Sequence, residues 1–171
     1  AFAGAFAARG LDVVLLVLAT VYGPRQDPLG PGLVARSAWS MLQGHAPTVE
    51  GNGRQQRDFL FVDDAVDAIA RAVHAGAPPE RVLVGTGTAT SVLDVVEQLA
   101  AKVGWSGEPG WAPARPGDPR RSALDPALAG KVLGWQPWTR LDEGLALTVE
   151  WLKARLPGHH RYPGRPSNYP P

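Results

Sequence analysis

At 171 residues the chain is long enough for one domain with a sizeable hydrophobic core, and its 44% apolar content is ordinary for a globular protein. Seventeen basic and sixteen acidic residues leave a formal net charge of +1, which gives no reason to propose a nucleic-acid partner. Cysteine is absent, which excludes disulfides, thiolate metal ligands and a thiol nucleophile, and favours a cytoplasmic location.

Membrane insertion and metal binding are not predicted. The longest apolar run, Val13–Tyr22, is about half of the ~20 residues that a membrane span requires. The four histidines are isolated or lie in the tail, so no metal site is expected. The chain begins at Ala1 and its single methionine is Met41, which favours a piece of a longer protein.

The first forty-odd residues predict a helix, a buried strand, a loop and a second helix. Ala1–Arg9 has the spacing of the end of an amphipathic helix. Apart from Asp12, Leu11–Leu18 is a run of leucine and β-branched residues, typical of a strand buried on both faces of a parallel sheet. Such a strand needs neighbours, so we expect the sheet to extend beyond this chain. A Gly- and Pro-rich loop, Tyr22–Gly32, precedes a helical stripe that ends near Gly44.

The segment Gly51–Asp64 contains several structural signals. Its opening Gly-Asn-Gly predicts a tight turn with positive φ, and Phe59–Val62 predicts a short strand. Asp63 and Asp64 follow where a helix N-cap belongs, because a carboxylate can accept the free N–H groups of a first turn. The helix is predicted to reach about Ala75 on an apolar stripe of Val66, Ile69, Ala70 and Val73.

The remainder predicts one more strand and three helices. Arg81–Gly85 is a second buried-looking strand, and Ser91 with Asp94 forms a capping box before the next helix. Two further helix starts, one with Asp-Pro and one with a capping box, are predicted at Asp125-Pro126 and at Thr139 with Asp142. The alternation of strands and helices predicts an α/β fold. Residues 157–171 are rich in Pro, Gly, His and Arg, and we expect them to be disordered.

Gly85-Thr86-Gly87 follows a predicted strand and could belong to a dinucleotide-binding fingerprint. The third glycine of that fingerprint would fall at Thr90, and no acidic ribose ligand follows at the right distance. A tight turn between strand and helix therefore explains these glycines better than a phosphate loop.

Six motifs occur in a fixed order along residues 1–153. They are Val21-Tyr22-Gly23-Pro24-Arg25-Gln26-Asp27-Pro28, Gly51-Asn52-Gly53 with Gln56-Arg57-Asp58-Phe59 and Val62-Asp63-Asp64, Val84-Gly85-Thr86-Gly87, Arg115-Pro116-Gly117-Asp118, Leu133-Gly134-Trp135-Gln136-Pro137, and Glu143-Gly144-Leu145 with Thr148-Val149-Glu150-Trp151. Together they resemble the C-terminal half of the NAD-dependent epimerase/dehydratase family, the extended short-chain dehydrogenases that act on nucleotide sugars. Within this family, the segment Arg25-Gln26-Asp27-Pro28 most resembles the UDP-glucose 4-epimerase members.

The resemblance implies that residues 1–156 form the last strands of a Rossmann-type parallel sheet with a small mixed α/β substrate-binding region, incomplete at the N-terminus. It implies a UDP-sugar substrate, NAD as cofactor, transient oxidation at the sugar C4, and a homodimer for the full-length protein. Family members use a Tyr-x-x-x-Lys pair, which this chain lacks, as it lacks the Gly-rich NAD fingerprint. No catalytic residue is therefore predicted here, and the chain alone is expected to be inactive. A nucleotide-sugar 4,6-dehydratase, a decarboxylase and a non-catalytic nucleotide-binding fragment are the alternatives.

The resemblance also assigns site residues. Arg57 and Arg115 would bind the diphosphate, because planar guanidinium groups donate paired hydrogen bonds and stay charged. Asp118 would accept a hydrogen bond from a ribose hydroxyl. Thr20 stands where the family usually has a substrate-contacting Asn, and keeps only a hydroxyl for that role.

Structural alternatives remain open for both arginines. Arg57 could instead form an ion pair with Asp58 or with the two aspartates of the following helix. Arg115 and Asp118 could pair with each other in a surface turn. The resemblance further makes Leu18 and Ala19 candidate cofactor contacts, because the end of the first strand lies where open α/β sheets bind ligands.

Overall fold

The structure, a computed structural model, describes residues 9–10, 13–75 and 81–155. The predicted helix over Ala1–Arg9 falls almost wholly outside these ranges, and the predicted disordered tail over 157–171 falls wholly outside them. The strands are β1 (Leu15–Leu18), β2 (Thr20–Tyr22), β3 (Thr48–Glu50), β4 (Gln56–Arg57), β5 (Phe59–Phe61), β6 (Arg81–Val84), β7 (Thr90–Ser91), β8 (Gly110–Ala112) and β9 (Arg121–Ser122). The helices are α1 (Leu33–Leu42), α2 (Val62–His74), α3 (Val92–Val103), α4 (Ala127–Leu133) and α5 (Leu141–Lys153).

Strand pairing is mainly parallel. Strands β1 and β6, β2 and β5, and β3 and β8 form three parallel pairs, each joining distant parts of the chain. Strand β4 lies between β7, antiparallel to it, and β9, parallel to it. Parallel strands alternating with helices confirm the predicted α/β class.

Two apolar clusters hold these elements together. The larger one packs α1, α3 and α5 against the aromatic rings of β2 and β5, where Tyr22 meets Phe59 and Phe61 edge to face at centroid distances of 6.3 and 5.7 Å. The second lies between β6, α2 and α4, with Trp135 fully buried in it. The first cluster borders the candidate site through Phe59 and Val92.

The first strand is shorter and more exposed than its sequence predicts. Only Leu15–Leu18 of the predicted Leu11–Leu18 run is a strand, and its end residues Leu15 and Leu18 are 49% and 36% exposed. The prediction of burial on both faces is therefore wrong for the described residues. Leu15 and Leu18 point to opposite faces of the strand, so the described part of the chain leaves each face partly uncovered.

Helix α2 packs with a different face from the predicted one. Its predicted apolar stripe is exposed, with Val66 at 56% and Val73 at 77%, whereas Ala65, Ala68 and Ala72 are buried. The alanines share the same helical spacing and are smaller, so they allow the helix backbone to approach the sheet closely. Periodicity alone could not choose between the two faces.

Three predicted helix caps differ from the observed ones. Helix α2 begins after Phe61, without a side-chain cap, so the prediction that Asp63 and Asp64 form its N-cap is wrong. Asp64 is instead fully buried and accepts hydrogen bonds from the backbone N–H and hydroxyl of Thr139, at 3.1 and 2.9 Å. Thr139 therefore does not cap α5 as predicted, and the N-cap of α5 is Arg140. Helix α4 starts one residue later than predicted, with Pro126 as its N-cap.

The cap predicted for α3 is confirmed. Ser91 Oγ accepts a hydrogen bond of 3.0 Å from the backbone N–H of Asp94. This helix start follows β7 directly, and β7 pairs with β4, which carries Arg57.

Candidate functional site

A cavity of about 270 Å³ brings all four predicted substrate residues together. Thr20, Arg57, Arg115 and Asp118 come from β2, β4 and the loop between β8 and β9. The other lining residues are Pro31, Gly32, Leu33, Arg36, Thr48, Glu50, Gln55, Phe59 and Val92. The structure thus places the four in one pocket, and their contact with substrate stays a prediction.

Arg57 is held in place from one side. Its Nη1 donates to the carbonyl oxygens of Gln56 and Pro119, both at 2.7 Å, and its Nη2 donates to Asp118 Oδ1. Three of the five guanidinium N–H groups thus have protein acceptors, and the side chain is 17% exposed. The ion pair of Arg57 is therefore with Asp118, and the alternative of a pair with Asp58 or the α2 aspartates is wrong.

Arg115 and Asp118 lie at the two ends of one tight turn. The backbone N–H of Asp118 donates to the carbonyl of Arg115 at 3.2 Å, and Pro116 followed by Gly117, with φ of 77°, has the residue pattern of a type II turn. The predicted turn is correct, but its side chains do not pair with each other. Asp118 binds Arg57, and Arg115 binds Glu50.

The Arg115–Glu50 pair is bidentate. Arg115 Nη2 donates to Glu50 Oε1 at 2.7 Å, and Nε lies 2.5 Å from Oε2. The hydrogen bond and the charge of Glu50 raise the pKa of Arg115 above its already high usual value, so the guanidinium is permanently charged. Glu50 and Arg115 both line the pocket.

The Gly85-Thr86-Gly87 turn binds a carboxylate of the chain itself. Asp58, 2% exposed, accepts hydrogen bonds from Thr86 N–H, Thr86 Oγ1, Gly87 N–H and Leu124 N–H, at 2.6 to 3.1 Å. A Cβ at Gly85 would lie 2.4 Å from Asp58 Oδ2, so only glycine fits there. The N–H groups that a phosphate loop would present are thus already used, which supports the turn interpretation over the phosphate loop.

Four polar residues of the pocket were not predicted from the sequence, namely Arg36, Thr48, Glu50 and Gln55. Arg36 projects from the first turns of α1, Glu50 ends β3, and Gln55 donates from Nε2 to the carbonyl of Glu50 at 2.8 Å. Helix α1 has no acidic residue in its first turn and no side-chain cap, so the positive end of its dipole lies at Gly32 and Leu33, which line the pocket. The Gly-Pro-Gly preceding α1 was the available signal, because it indicates a helix start that leaves backbone close to a ligand.

The predicted cofactor residues, Leu18 and Ala19, lie outside this pocket. Their side chains are apolar, and the N–H of Ala19 already donates to the carbonyl of Val84 at 2.9 Å. Contact of these two residues with NAD, through their backbone or through packing, stays a prediction.

Tyr22 follows the pocket residue Thr20 by two positions, and its hydroxyl is not available as a base. Burial, with the nearby carboxylates of Asp64 and Glu143, raises its pKa well above the usual value. Its hydroxyl donates to the carbonyl of Leu141 at 3.3 Å, which ties β2 to the start of α5. Tyr22 therefore has a structural role.

In residues 9–10, 13–75 and 81–155, no group of three or more His, Asp or Glu side chains could hold a metal ion. Over the same part of the chain, no helix is long and apolar enough to span a membrane.

Comparison with known proteins shows the family to which the chain is related. Residues 3–85 match the NAD dependent epimerase/dehydratase family. A UDP-glucose 4-epimerase of Mycolicibacterium smegmatis is 45% identical over 84% of this chain and 46% of its own length. The crystal structure of UDP-glucose 4-epimerase with UDP-glucose from Thermotoga maritima superposes with a TM-score of 0.82 at 42% identity, over 87% of this chain and 49% of that one. The crystal structure of the Thermus thermophilus UDP-glucose 4-epimerase complex with NAD superposes with a TM-score of 0.81 at 33% identity, over 91% of this chain and 51% of that one.

The chain therefore belongs to the NAD-dependent epimerase/dehydratase family, and its fold is that of the Rossmann-type members. It spans about half the length of the relatives it matches. Nucleotide-sugar dehydratases and decarboxylases also match, at lower identity.

Proposed function

We propose that the complete protein is a UDP-sugar 4-epimerase that uses NAD, and that this chain supplies its pocket for the nucleotide diphosphate. One observation carries the proposal. Two arginines, a carboxylate and a hydroxyl that the family resemblance assigned to the substrate all line a single cavity, although they come from separate elements.

The chemistry of the pocket suits a nucleoside diphosphate. Guanidinium groups bind phosphate oxygens in pairs, and Arg57 is already oriented by two carbonyls, so little conformational entropy is lost when it binds. Asp118 offers a carboxylate to a ribose hydroxyl while it holds Arg57. Thr20 and the positive end of α1 complete a site that favours an anion with hydroxyl groups.

NAD, when bound to the complete protein, would supply a reversible acceptor for hydride from the sugar C4. Leu18 and Ala19 would contribute an apolar contact to it. The described residues hold no catalytic pair for this chemistry, so we assign the proton transfer to a Tyr-x-x-x-Lys outside this sequence. A cytoplasmic location and a homodimer of the complete protein belong to the same proposal and are supported by the family resemblance.

A nucleotide-sugar 4,6-dehydratase or decarboxylase is the second candidate, supported by relatives with those activities at 32% and 30% identity. The epimerase is favoured because the two UDP-glucose 4-epimerases are 45% and 42% identical to this chain.

Product analysis tests the proposal. The complete protein, saturated with NAD and given UDP-glucose, is expected to form UDP-galactose until the two sugars reach equilibrium. The 171-residue chain alone, assayed in parallel, is expected to show no turnover. Conversion of UDP-glucuronic acid with release of CO₂, or formation of a 4-keto-6-deoxy sugar, without epimerisation, would overturn the epimerase assignment.

A further inference from the structure

Glu50 occupies a position in the pocket that nothing in the family resemblance explains. It ends β3, which pairs with β8, and its register partner Ala112 stands three residues before Arg115. The carboxylate binds both Nε and Nη2 of Arg115. An acidic side chain thus holds one of the two arginines assigned to the diphosphate.

Glu50 also sets the charge of the pocket. Its lining residues carry three arginines (Arg36, Arg57 and Arg115) and two carboxylates (Glu50 and Asp118), which leaves a net charge of +1. The diphosphate of a nucleotide sugar carries two negative charges. Without the charge of Glu50, the pocket would balance the diphosphate fully.

The geometry adds a direct conflict. A phosphate binds a guanidinium best through two parallel N–H groups, and the Nε–Nη2 edge of Arg115 is the edge that Glu50 uses. A carboxylate and a phosphate cannot both take this edge. We propose that Glu50 competes with the nucleotide diphosphate for Arg115, an inference that rests on the proposed function. The Arg115–Glu50 ion pair then opens when the diphosphate binds, and Glu50 limits the affinity of the pocket for it.

Arg115 rather than Arg57 is the arginine that can exchange partners. Arg57 is 17% exposed and anchored by two backbone carbonyls in addition to Asp118. Arg115 is 56% exposed, and the contact described for its guanidinium is Glu50. Its side chain can therefore rotate from the carboxylate to a phosphate without disturbing the fold.

The test is a calorimetric titration of the complete protein with UDP and with uridine, comparing wild type with Glu50→Gln. Glutamine keeps the size of the side chain and removes its charge. Removing one partly exposed charge a few ångströms from a phosphate is worth about a fivefold gain in UDP affinity. Uridine lacks phosphate, so its affinity should be unchanged. The matched control is Glu150→Gln, an exposed glutamate of α5 outside the pocket, which should alter neither.

Each outcome is decisive. Tighter UDP binding with unchanged uridine binding supports competition. Equal or weaker UDP binding, in a variant that melts like wild type, would show that Glu50 instead positions Arg115 for phosphate, and would overturn the inference while the proposed function stands. A gain for uridine as well would also overturn it. If neither protein binds UDP, the proposed function fails and the inference with it. Glu50→Ala answers the same question if the glutamine variant does not fold.

Discussion

Replacing Arg57 with alanine in the complete protein should raise the KM for the UDP-sugar at least about 30-fold, or remove detectable turnover, and leave NAD occupancy nearly intact. Hydrogen bonds between charged groups contribute about 1.5–3 kcal/mol each, and about 2 kcal/mol corresponds to that factor. The carbonyls of Gln56 and Pro119 already orient the Arg57 side chain. Little side-chain entropy is therefore lost on binding, and the full free energy of its hydrogen bonds contributes to affinity. Steady-state kinetics and the NAD content of the purified protein provide the measurement.

Arg54→Ala is the matched control. Arg54 lies three residues earlier in the same segment, is exposed and is outside the pocket, so its loss should change KM less than twofold. Arg57→Lys separates charge from geometry, because lysine keeps the charge but cannot form paired hydrogen bonds. A KM for Arg57→Ala equal to that of wild type would refute the phosphate role.

Asp58→Ala should lower the free energy of unfolding by about 3–5 kcal/mol, since a buried carboxylate with several hydrogen bonds is removed. The 2% exposed side chain accepts from four donors in Thr86, Gly87 and Leu124. Without the carboxylate, the partly buried backbone N–H groups of Thr86, Gly87 and Leu124 lose their acceptor. Denaturant unfolding followed by tryptophan fluorescence gives the measurement.

Asp63→Ala is the control for loss of an aspartate in the same region. Asp63 is exposed in the first turn of α2, where an acidic side chain stabilises the helix by about 0.3–1 kcal/mol. An Asp58→Ala protein no less stable than the Asp63→Ala protein would contradict the structural role assigned to the hydrogen bonds of Asp58.

The sequence predicts the five described helices in their order, because apolar spacing and the glycines and prolines between helices are local features. The Gly-Pro loop before α1 and the Ser91 cap of α3 are both present. These features need only neighbouring residues to form.

Predictions that depend on distant contacts were less successful. Helix α2 offers two faces with suitable spacing, and only the closely packed sheet selects its alanines. Asp64 resembles a cap until Thr139, distant in sequence, is brought to it. The ion partners of Arg57 and Arg115 were missed for the same reason, since each partner lies more than sixty residues away.

The pocket itself was predicted through family resemblance, and the geometry adds what resemblance lacked. The assignments of Arg57, Arg115 and Asp118 came from motifs, whereas their mutual arrangement came from the turn at Pro116–Gly117 and the carbonyls that hold Arg57. Glu50 carried no signal in the sequence, because its importance lies in its contact with Arg115.

The most direct test of the diphosphate pocket is a crystal structure of the complete protein with UDP-glucose. In that structure, phosphate oxygens are expected within hydrogen-bonding distance of the guanidinium groups of Arg57 and Arg115, with the ribose beside Asp118. A diphosphate bound elsewhere, with both arginines still paired to Asp118 and Glu50, would contradict it.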